Sequence, residues 1–251
     1  DRRDKGGLSV AGRAAFLAHR AYAHRGLHHE GGPIENSMPA FSAALAAGYG
    51  IECDVRLSRD GIAFVFHDAE LDRLTDTTGP VATRTAVELD AIALKGGNGG
   101  IPRLSALLSL VGMRVPVLIE LKIDAVREIA PLCRAVLGDL SEHPSQAVIM
   151  SFHPGVGAWF AHNASHIVRG LVMSEENARG WAASLRRRLD IAGAKPDFLA
   201  YDIRSLPSPT ATRFRAMALP VLSWTVRTAQ DRARAAQYAD AIIFEGAASD
   251  G

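Results

Sequence analysis

Two carboxylates and an imidazole in one predicted hairpin could bind a metal ion and a phosphate. Glu52 and Asp54 are two residues apart in an apolar stretch that predicts a strand, so their side chains point to the same face. Asp60-Gly61 predicts a tight turn, after which a return strand would bring His67 beside the two acids. Burial of unpaired acids is unfavourable, and a divalent cation would offset it; the alternative is an exposed edge strand. Oxygen ligands of this kind favour Mg²⁺ or Ca²⁺.

Two further predicted strand ends supply groups for the same chemistry. Glu120 and Lys122 alternate onto one face, where Glu120 could be a third carboxylate ligand and Lys122 could neutralise a phosphate oxygen. A buried Glu–Lys ion pair is the other interpretation, and it is compatible with the first. Arg25 offers a planar, permanently charged guanidinium that suits a phosphate, although an exposed His-Arg pair explains the dipeptide equally well.

His24 and His67 are the candidate acid and base. Imidazole titrates near neutrality, so one ring could take a proton from the nucleophile while the other gives a proton to the leaving alkoxide. Trp224 could form a wall of the substrate pocket or simply pack in the core. Structural roles are predicted for the six histidines for which no acidic neighbours are expected: His28, His29, His143, His153, His162 and His166.

These side chains fall at the ends of strands that alternate with helices along most of the chain. Strand patterns occur at 21–25, 49–55, 62–67, 116–122, 147–152, 167–173, 198–202, 221–226 and 241–244. Helical patterns begin with one that Asn36 would cap and continue at 103–111, 124–137, 175–189, 208–218 and 229–237. Strand 62–67 would run antiparallel as the return strand of the hairpin, which leaves eight. The predicted fold class is therefore α/β, a (β/α)₈ TIM barrel, and the alternative is a doubly wound open sheet.

The length of 251 residues is normal for one α/β barrel, so residues 1–251 are predicted to form a single domain. A small cap is expected to be inserted after the second strand, at about residues 56–102. Within it, the stretch 69–102 has weak periodicity and ends in the glycine-rich run 95–100, which predicts a lid with a flexible hinge.

Composition excludes several classes of protein. A net charge of +1 gives no case for a nucleic-acid surface, and the basic run 186–188 is predicted to be a solvated helix face. Cys53 and Cys133 form no metal or disulfide spacing, which fits a cytoplasmic protein. No run reaches the ~20 apolar residues of a membrane helix, so no stable membrane insertion is expected. Because the sequence begins at Asp1 rather than at Met, the question whether the protein has a further segment upstream stays open.

Several motifs together resemble the glycerophosphodiester phosphodiesterase family. They follow the family's order and lie at 23–26, 35–37, 51–55, 60–61, 66–68, 71–75, 119–122, 151–152 and 224–225. The resemblance implies a phosphodiesterase barrel with Mg²⁺ or Ca²⁺ on Glu52, Asp54 and Glu120. It also implies His24 and His67 as the acid/base pair, with Arg25 and Lys122 on the phosphate. The implied reaction is hydrolysis of a small glycerophosphodiester to sn-glycerol 3-phosphate and an alcohol.

The chain departs from the family pattern at Ser37, a mild change, and at two strand ends that are expected to shape the alcohol pocket. Ser37 replaces a usual Thr, Arg227 replaces a common Asn, and Glu245-Gly246 stand where Thr-Asp or Thr-Asn and then Pro are usual. A lysophospholipase D-type enzyme and a non-catalytic barrel that binds a phosphorylated ligand are the alternative functions. The sequence does not fix the oligomeric state, the native metal, or whether water or the substrate's own 2-hydroxyl attacks.

Overall fold

The computed structural model describes residues 10–97, 99–176 and 180–246. The fold is a (β/α)₈ barrel, as the sequence predicts, with helices between the strands. The strands are β1 Tyr22–Ala23, β2 Gly50–Leu57, β3 Ala63–Val65, β4 Val117–Leu121, β5 Ala147–Ser151, β6 Arg169–Met173, β7 Phe198–Asp202, β8 Val221–Val226 and β9 Ala241–Phe244. The helices are α1 Val10–Arg13, α2 Met38–Ala46, α3 Ala86–Asp90, α4 Leu104–Val111, α5 Ile129–Glu142, α6 Pro154–Asn163, α7 Trp181–Ala194, α8 Pro209–Ala216 and α9 Ala229–Tyr238.

The contacts divide the chain into two compact units. One contains the described residues of 10–22 and 148–244, and the other contains those of 23–147 and 245–246. Within the described residues, no helix has both the length and the apolar character needed to cross a membrane.

The unit of residues 23–147 is organised around β2. This strand pairs in parallel with β4 and antiparallel with β3, which confirms the predicted return strand. The parallel register sets Asp54 opposite Glu120, so these two side chains share a face with Glu52. The hairpin loop is longer than the predicted two-residue turn, because Leu57 pairs with Ala63 and the amide of Ser58 donates to the carbonyl of Ile62 at 2.9 Å.

The start of α2 differs from the prediction. Ser37, not Asn36, caps this helix, since its hydroxyl oxygen accepts a hydrogen bond from the amide of Ala40 at 3.3 Å. Both residue types are good N-caps, so the sequence could not distinguish them. The side chain of Asn36 instead bonds to Asp54, a tertiary contact that helix-capping rules do not foresee.

The segment 69–101 supplies most of a small apolar core, to which Phe64 and Phe66 also belong. Within this segment, α3 begins with a capping box in which Thr85 and Glu88 satisfy each other's backbone amides. The buried cluster consists of Phe64, Phe66, Leu71, Leu74, Val81, Ala86, Leu89, Leu94 and Ile101. Of the predicted hinge, Lys95–Gly97 forms a 3-10 turn and Asn98 lies outside the described residues. A lid function for this segment stays a prediction.

The unit of residues 148–244 contains a parallel sheet in which β5, β6, β7, β8 and β9 pair in sequence order. Helix α6 was not predicted, although His153 caps it by accepting from the amide of Gly155 at 3.0 Å. Helices α5 and α7 begin later than predicted, and residues 177–179 of the second prediction lie outside the described residues. The apolar spacing of α7 does not face a core, because Ala194 is its one buried residue among those described.

Candidate active site

Three carboxylates meet on one face of the paired strands β2 and β4. Glu52, Asp54 and Glu120 are at most 6% exposed, and one ligand oxygen from each lies within 4.8 Å of the others. Strand alternation predicted that Glu52 and Asp54 share a face, and the sequence analysis offered Glu120 as a possible third carboxylate ligand. Cys53 lies between the first two acids and is fully buried as a free thiol, whose pKa is raised well above its usual value by burial and by the neighbouring acids.

The pKa of Asp54 is shifted in the opposite direction from those of Glu52 and Glu120, because the charged neighbours of the three acids differ. Burial raises the pKa of Glu52, and the charges of Asp54 and Glu120 raise it further. Burial likewise raises the pKa of Glu120. Burial would also raise the pKa of Asp54, but the charges of Lys122 and Arg25 outweigh it and hold that pKa below its usual range.

Two cations compensate this acid cluster. The Nζ atom of Lys122 donates to Oε1 of Glu120 at 2.6 Å and forms an ion pair with Oδ1 of Asp54 at 2.9 Å. The Nε atom of Arg25 lies 3.0 Å from Oδ2 of Asp54, and its Nη1 donates to Glu35 at 2.8 Å. The Glu–Lys ion pair considered for Lys122 is therefore present in the structure.

The turn after β1 fixes these groups with backbone atoms. Arg25, Gly26 and Asn36 all have φ between 55° and 81°, the left-handed region. The amide of Arg25 donates to Oε2 of Glu52 at 3.0 Å, and the amide of Asn36 donates to the carbonyl of Arg25 at 2.8 Å. Gly26 is required here, since a Cβ atom would approach Ala40 to 2.9 Å.

His24 lies between two carboxylates. Its Nδ1 donates to Oε1 of Glu245 at 2.5 Å, and its Nε2 lies 3.8 Å from Oε2 of Glu52. Burial lowers the pKa of His24, and the hydrogen bond to Glu245 opposes that shift without cancelling it. Because a carboxylate can only accept, the neutral ring carries its hydrogen on Nδ1 and leaves Nε2 as the basic nitrogen.

His67 has the same arrangement with a different acid. Its Nδ1 donates to Oδ1 of Asp68 at 2.7 Å, and Nε of Arg73 donates to the other oxygen of that carboxylate at 2.6 Å. Arg73 also donates twice to Glu35, at 2.7 and 2.9 Å. Burial lowers the pKa of His67, while hydrogen bonds from Arg73 and His67 outweigh burial and lower the pKa of Asp68 to about 2.

Trp224 belongs to β8, in the unit of residues 148–244. Its Nε1 donates to the carbonyl of Ala200 at 3.0 Å, and its ring stands edge-on to Phe152 with the centroids 5.5 Å apart. These contacts account for its orientation by local packing. The predicted contact of Trp224 with substrate stays a prediction.

Comparison with known proteins settles the family. The model of the Glycerophosphoryl diester phosphodiesterase family matches residues 19–247, which is nearly the whole chain. The chain belongs to this family. A Glycerophosphodiester phosphodiesterase of Bacillus altitudinis is 33% identical over 158 residues, which cover 59% of this chain and 64% of that relative. The aligned region therefore spans less than two thirds of the relative's length.

Solved structures of similar proteins agree with the fold. A glycerophosphodiester phosphodiesterase from Agrobacterium tumefaciens is 26% identical, with a TM-score of 0.67 over 90% of this chain and 95% of that one. An Oleispira antarctica phosphodiesterase, solved in complex with the product sn-glycerol-3-phosphate, is 23% identical, with a TM-score of 0.77 over 92% and 94%.

The acid cluster of this glycerophosphoryl diester phosphodiesterase family member suits a divalent cation. Oxygen Oε1 of Glu52 is buried and has no hydrogen-bond partner within the described part of the chain. An orphaned buried carboxylate oxygen is unfavourable in a folded protein. Three converging carboxylates are also the hard oxygen donors that Mg²⁺ and Ca²⁺ prefer.

Sequence reasoning missed four groups of the site in this family member. Glu245 had been expected to shape the alcohol pocket, yet it bonds to His24. His28, for which no acidic neighbour was expected, has its Nε2 atom 4.0 Å from Glu245. Asp68 and Arg73 lie within motifs that carry the family resemblance. Their spacing does not predict that Asp68 bonds to His67 or that Arg73 bonds to Asp68.

Proposed function

We propose that the chain is a metal-dependent phosphodiesterase that hydrolyses glycerophosphodiesters to sn-glycerol 3-phosphate and an alcohol. The observation that carries this proposal is the arrangement of His24 and His67. Each ring has its Nδ1 atom bonded to a carboxylate, and both act electrostatically on Asp54 of the acid cluster. Two oriented imidazoles beside a cation site suit in-line displacement at a phosphodiester phosphorus.

Glu52, Asp54 and Glu120 would hold Mg²⁺ or Ca²⁺, as their converging oxygens support. Once bound, the cation would act as a Lewis acid on a phosphoryl oxygen. Asn36 keeps Asp54 in place, because its Nδ2 donates to Oδ2 of that acid at 2.9 Å. The other oxygen of Asp54, Oδ1, lies 2.9 Å from the Nζ atom of Lys122.

In this proposal, one imidazole ring accepts a proton and the other donates one. As the oxygen of the nucleophile bonds to phosphorus, one imidazole accepts the nucleophile's proton. As the bond from phosphorus to the leaving oxygen breaks, the other imidazole gives a proton to the alkoxide. Both rings use Nε2, because Nδ1 of His24 and of His67 is engaged by a carboxylate.

Arg25 and Lys122 would stabilise the charge that develops on the phosphoryl oxygens. Both are largely buried, with side-chain exposures of 16% and 15%, so their charges are weakly screened by solvent. Trp224 is proposed as a wall for the alcohol group. A cytoplasmic setting is supported by the two free, buried cysteines.

The test is release of glycerol 3-phosphate from glycerophosphocholine, after chelation and again with Mg²⁺ or Ca²⁺ restored. Activity is expected to disappear with chelator and to return with one cation. His24→Ala should lower kcat by about a hundredfold or more, as expected for loss of a general acid or base. His162→Ala removes an exposed imidazole and is the matched control, which should keep full activity.

Near-native turnover by folded His24→Ala protein would refute the assigned role. Turnover of lysophosphatidylcholine in place of glycerophosphocholine would favour the lysophospholipase D-type alternative. Tight binding of glycerophosphocholine without product, measured by calorimetry, would favour the non-catalytic barrel.

A further inference from the structure

Helix α7 carries an exposed apolar stripe. Trp181, Leu185 and Leu189 are 82%, 49% and 61% exposed, and they are four residues apart. Residues at this spacing lie on one face of a helix. Exposed large apolar residues in a contiguous group, unlike single ones, mark a surface that meets something other than water.

Arginines border this stripe on both sides. At about 100° per residue, Arg188 lies next to Trp181 on one edge and Arg186 lies beyond Leu189 on the other. The side chain of Arg186 is 78% exposed, and its ion pair with Asp190, at 3.4 Å, is of the weak, solvent-screened kind. Arg188 is exposed and forms no ion pair with any residue that the structure describes.

A groove of about 810 Å³ adjoins the same helix and adds to its positive charge. It lies between α7 and α8, within one compact unit. The residues that line it include the cations Lys195 and Arg213, together with the apolar residues Phe214 and Met217. This combination of cationic and apolar side chains resembles that of the stripe.

We propose that this face of α7 docks reversibly on an anionic phospholipid surface. Tryptophan and leucine would enter the boundary between head groups and acyl chains, and the arginines would meet lipid phosphates. Trp181 is suited to that depth because its ring is apolar while its N–H remains polar. The arginines on both edges match the negative charge of such a surface and would lie against it together.

A second copy of the chain fits this face poorly. In a two-fold interface the same patch meets itself, which would set Arg186 and Arg188 of one copy against those of the other. Stable interfaces also bury about 800 Å² on each partner, more than three side chains on one helix provide. Charge and area therefore favour a lipid surface.

The experiment is flotation of the full chain with lipid vesicles. One set contains phosphatidylcholine alone, and the other contains about one quarter phosphatidylglycerol, enough for a negative surface. The chain should float with the anionic vesicles, and less so as salt increases. Removing Arg186 and Arg188 together, as R186Q/R188Q, should weaken binding by about fivefold for each charge.

L185Q/L189Q should reduce flotation as well, and matched controls separate this from general effects of substitution. Val126→Gln alters an apolar residue that is 72% exposed, and Arg59→Gln removes an arginine that is 61% exposed; both should float like the unaltered chain. Thermal unfolding identifies any variant that fails to fold. Trp181→Phe, compared with the unaltered chain, isolates the Trp181 fluorescence, which should shift to the blue on anionic vesicles.

Three results would each overturn the proposal. One is no flotation of the unaltered chain with anionic vesicles, and another is equal flotation with phosphatidylcholine alone. The third is a dimer in sedimentation that L185Q/L189Q abolishes, because it would assign the stripe to a second copy. None of these readouts depends on phosphodiesterase activity, so the proposed function can fail without affecting this one.

Discussion

At the scale of single residues, each histidine of the site is held by a carboxylate. His24 bonds to Glu245 and His67 bonds to Asp68, at 2.5 and 2.7 Å. A carboxylate on Nδ1 sets the tautomer and the orientation of the ring, and it stabilises the imidazolium that forms when Nε2 takes a proton. Glu245 is accordingly a positioning residue in our mechanism.

Glu245→Gln should lower kcat by about tenfold to a hundredfold, the usual effect of losing a partner behind a functional side chain. KM should change little, because Glu245 is not placed on substrate. Steady-state kinetics with glycerophosphocholine separate the two constants. Glu245→Asp keeps the charge and should recover part of kcat.

Glu142→Gln is the control, since Glu142 is an exposed acid at the end of α5. If Glu245→Gln raised KM and left kcat unchanged, Glu245 would belong to substrate binding instead. The same result in Glu245→Asp and Glu245→Gln would mean that the charge is unimportant.

Sequence could place acids of the cluster on one face but could not find the partners of the histidines. Glu52 and Asp54 share a face because side chains alternate along a strand, a local rule that needs no tertiary information. His24 and Glu245 are 221 residues apart, and no spacing rule connects them. Asn36 illustrates the same limit, since its residue type suggests a helix cap while its bond is made to Asp54.

At the scale of elements, the strands and most long helices were predictable, whereas the short helices of segment 69–101 were not. Helix α3 has five residues, and the 3-10 turn Val81–Thr83 has three, which is too short for an apolar period to repeat. Helix α6 was not predicted, for another reason. Gly155 and Gly157, close behind Pro154, favour a loop on local propensity, and tertiary packing overrides that preference.

The small core of segment 69–101 provides a test at this scale. Leu89→Ala should lower the free energy of unfolding by about 2–5 kcal/mol, because Leu89 is fully buried in the cluster. Val87→Ala on the same helix removes a side chain that is 75% exposed, and it should stay within about 0.5 kcal/mol. Urea unfolding of the two variants gives both numbers. Equal values would show that this core does not contribute to stability.

At the scale of the whole molecule, folding and cation binding should be linked. The folded state gathers three acids that an unfolded chain keeps apart, so a cation binds the folded state preferentially. A cation at about a hundred times its Kd would add about 2.7 kcal/mol of stability. For a chain of this size, that corresponds to a rise in Tm of about 5–10 °C.

Thermal unfolding with and without Ca²⁺ or Mg²⁺ measures this effect without any assay of turnover. Glu120→Gln should remove most of the rise in Tm, since it removes one ligand charge. Glu142→Gln should keep the full rise. A cation-dependent rise that survives in Glu120→Gln would locate the cation elsewhere.

The fold class was accessible from sequence because alternation of strands and helices is a property of the entire chain. Eight parallel strands remained once the hairpin strand β3 was counted out. The exposure of side chains on the surface was harder to predict from sequence. The spacing of Trp181, Leu185 and Leu189 is that of a buried face, and only the structure shows that these side chains are exposed.

The buried thiol between Glu52 and Asp54 also determines how the protein should respond to oxidants. Peroxide and alkylating reagents attack the thiolate, and Cys53 is both inaccessible and held in its thiol form by a raised pKa. Cys133 is likewise buried, and burial raises its pKa to about 12. Neither cysteine should enter the path from sulfenic to sulfonic acid in the folded protein. The acid cluster should therefore keep its geometry under oxidative conditions that would inactivate an enzyme with an exposed thiolate.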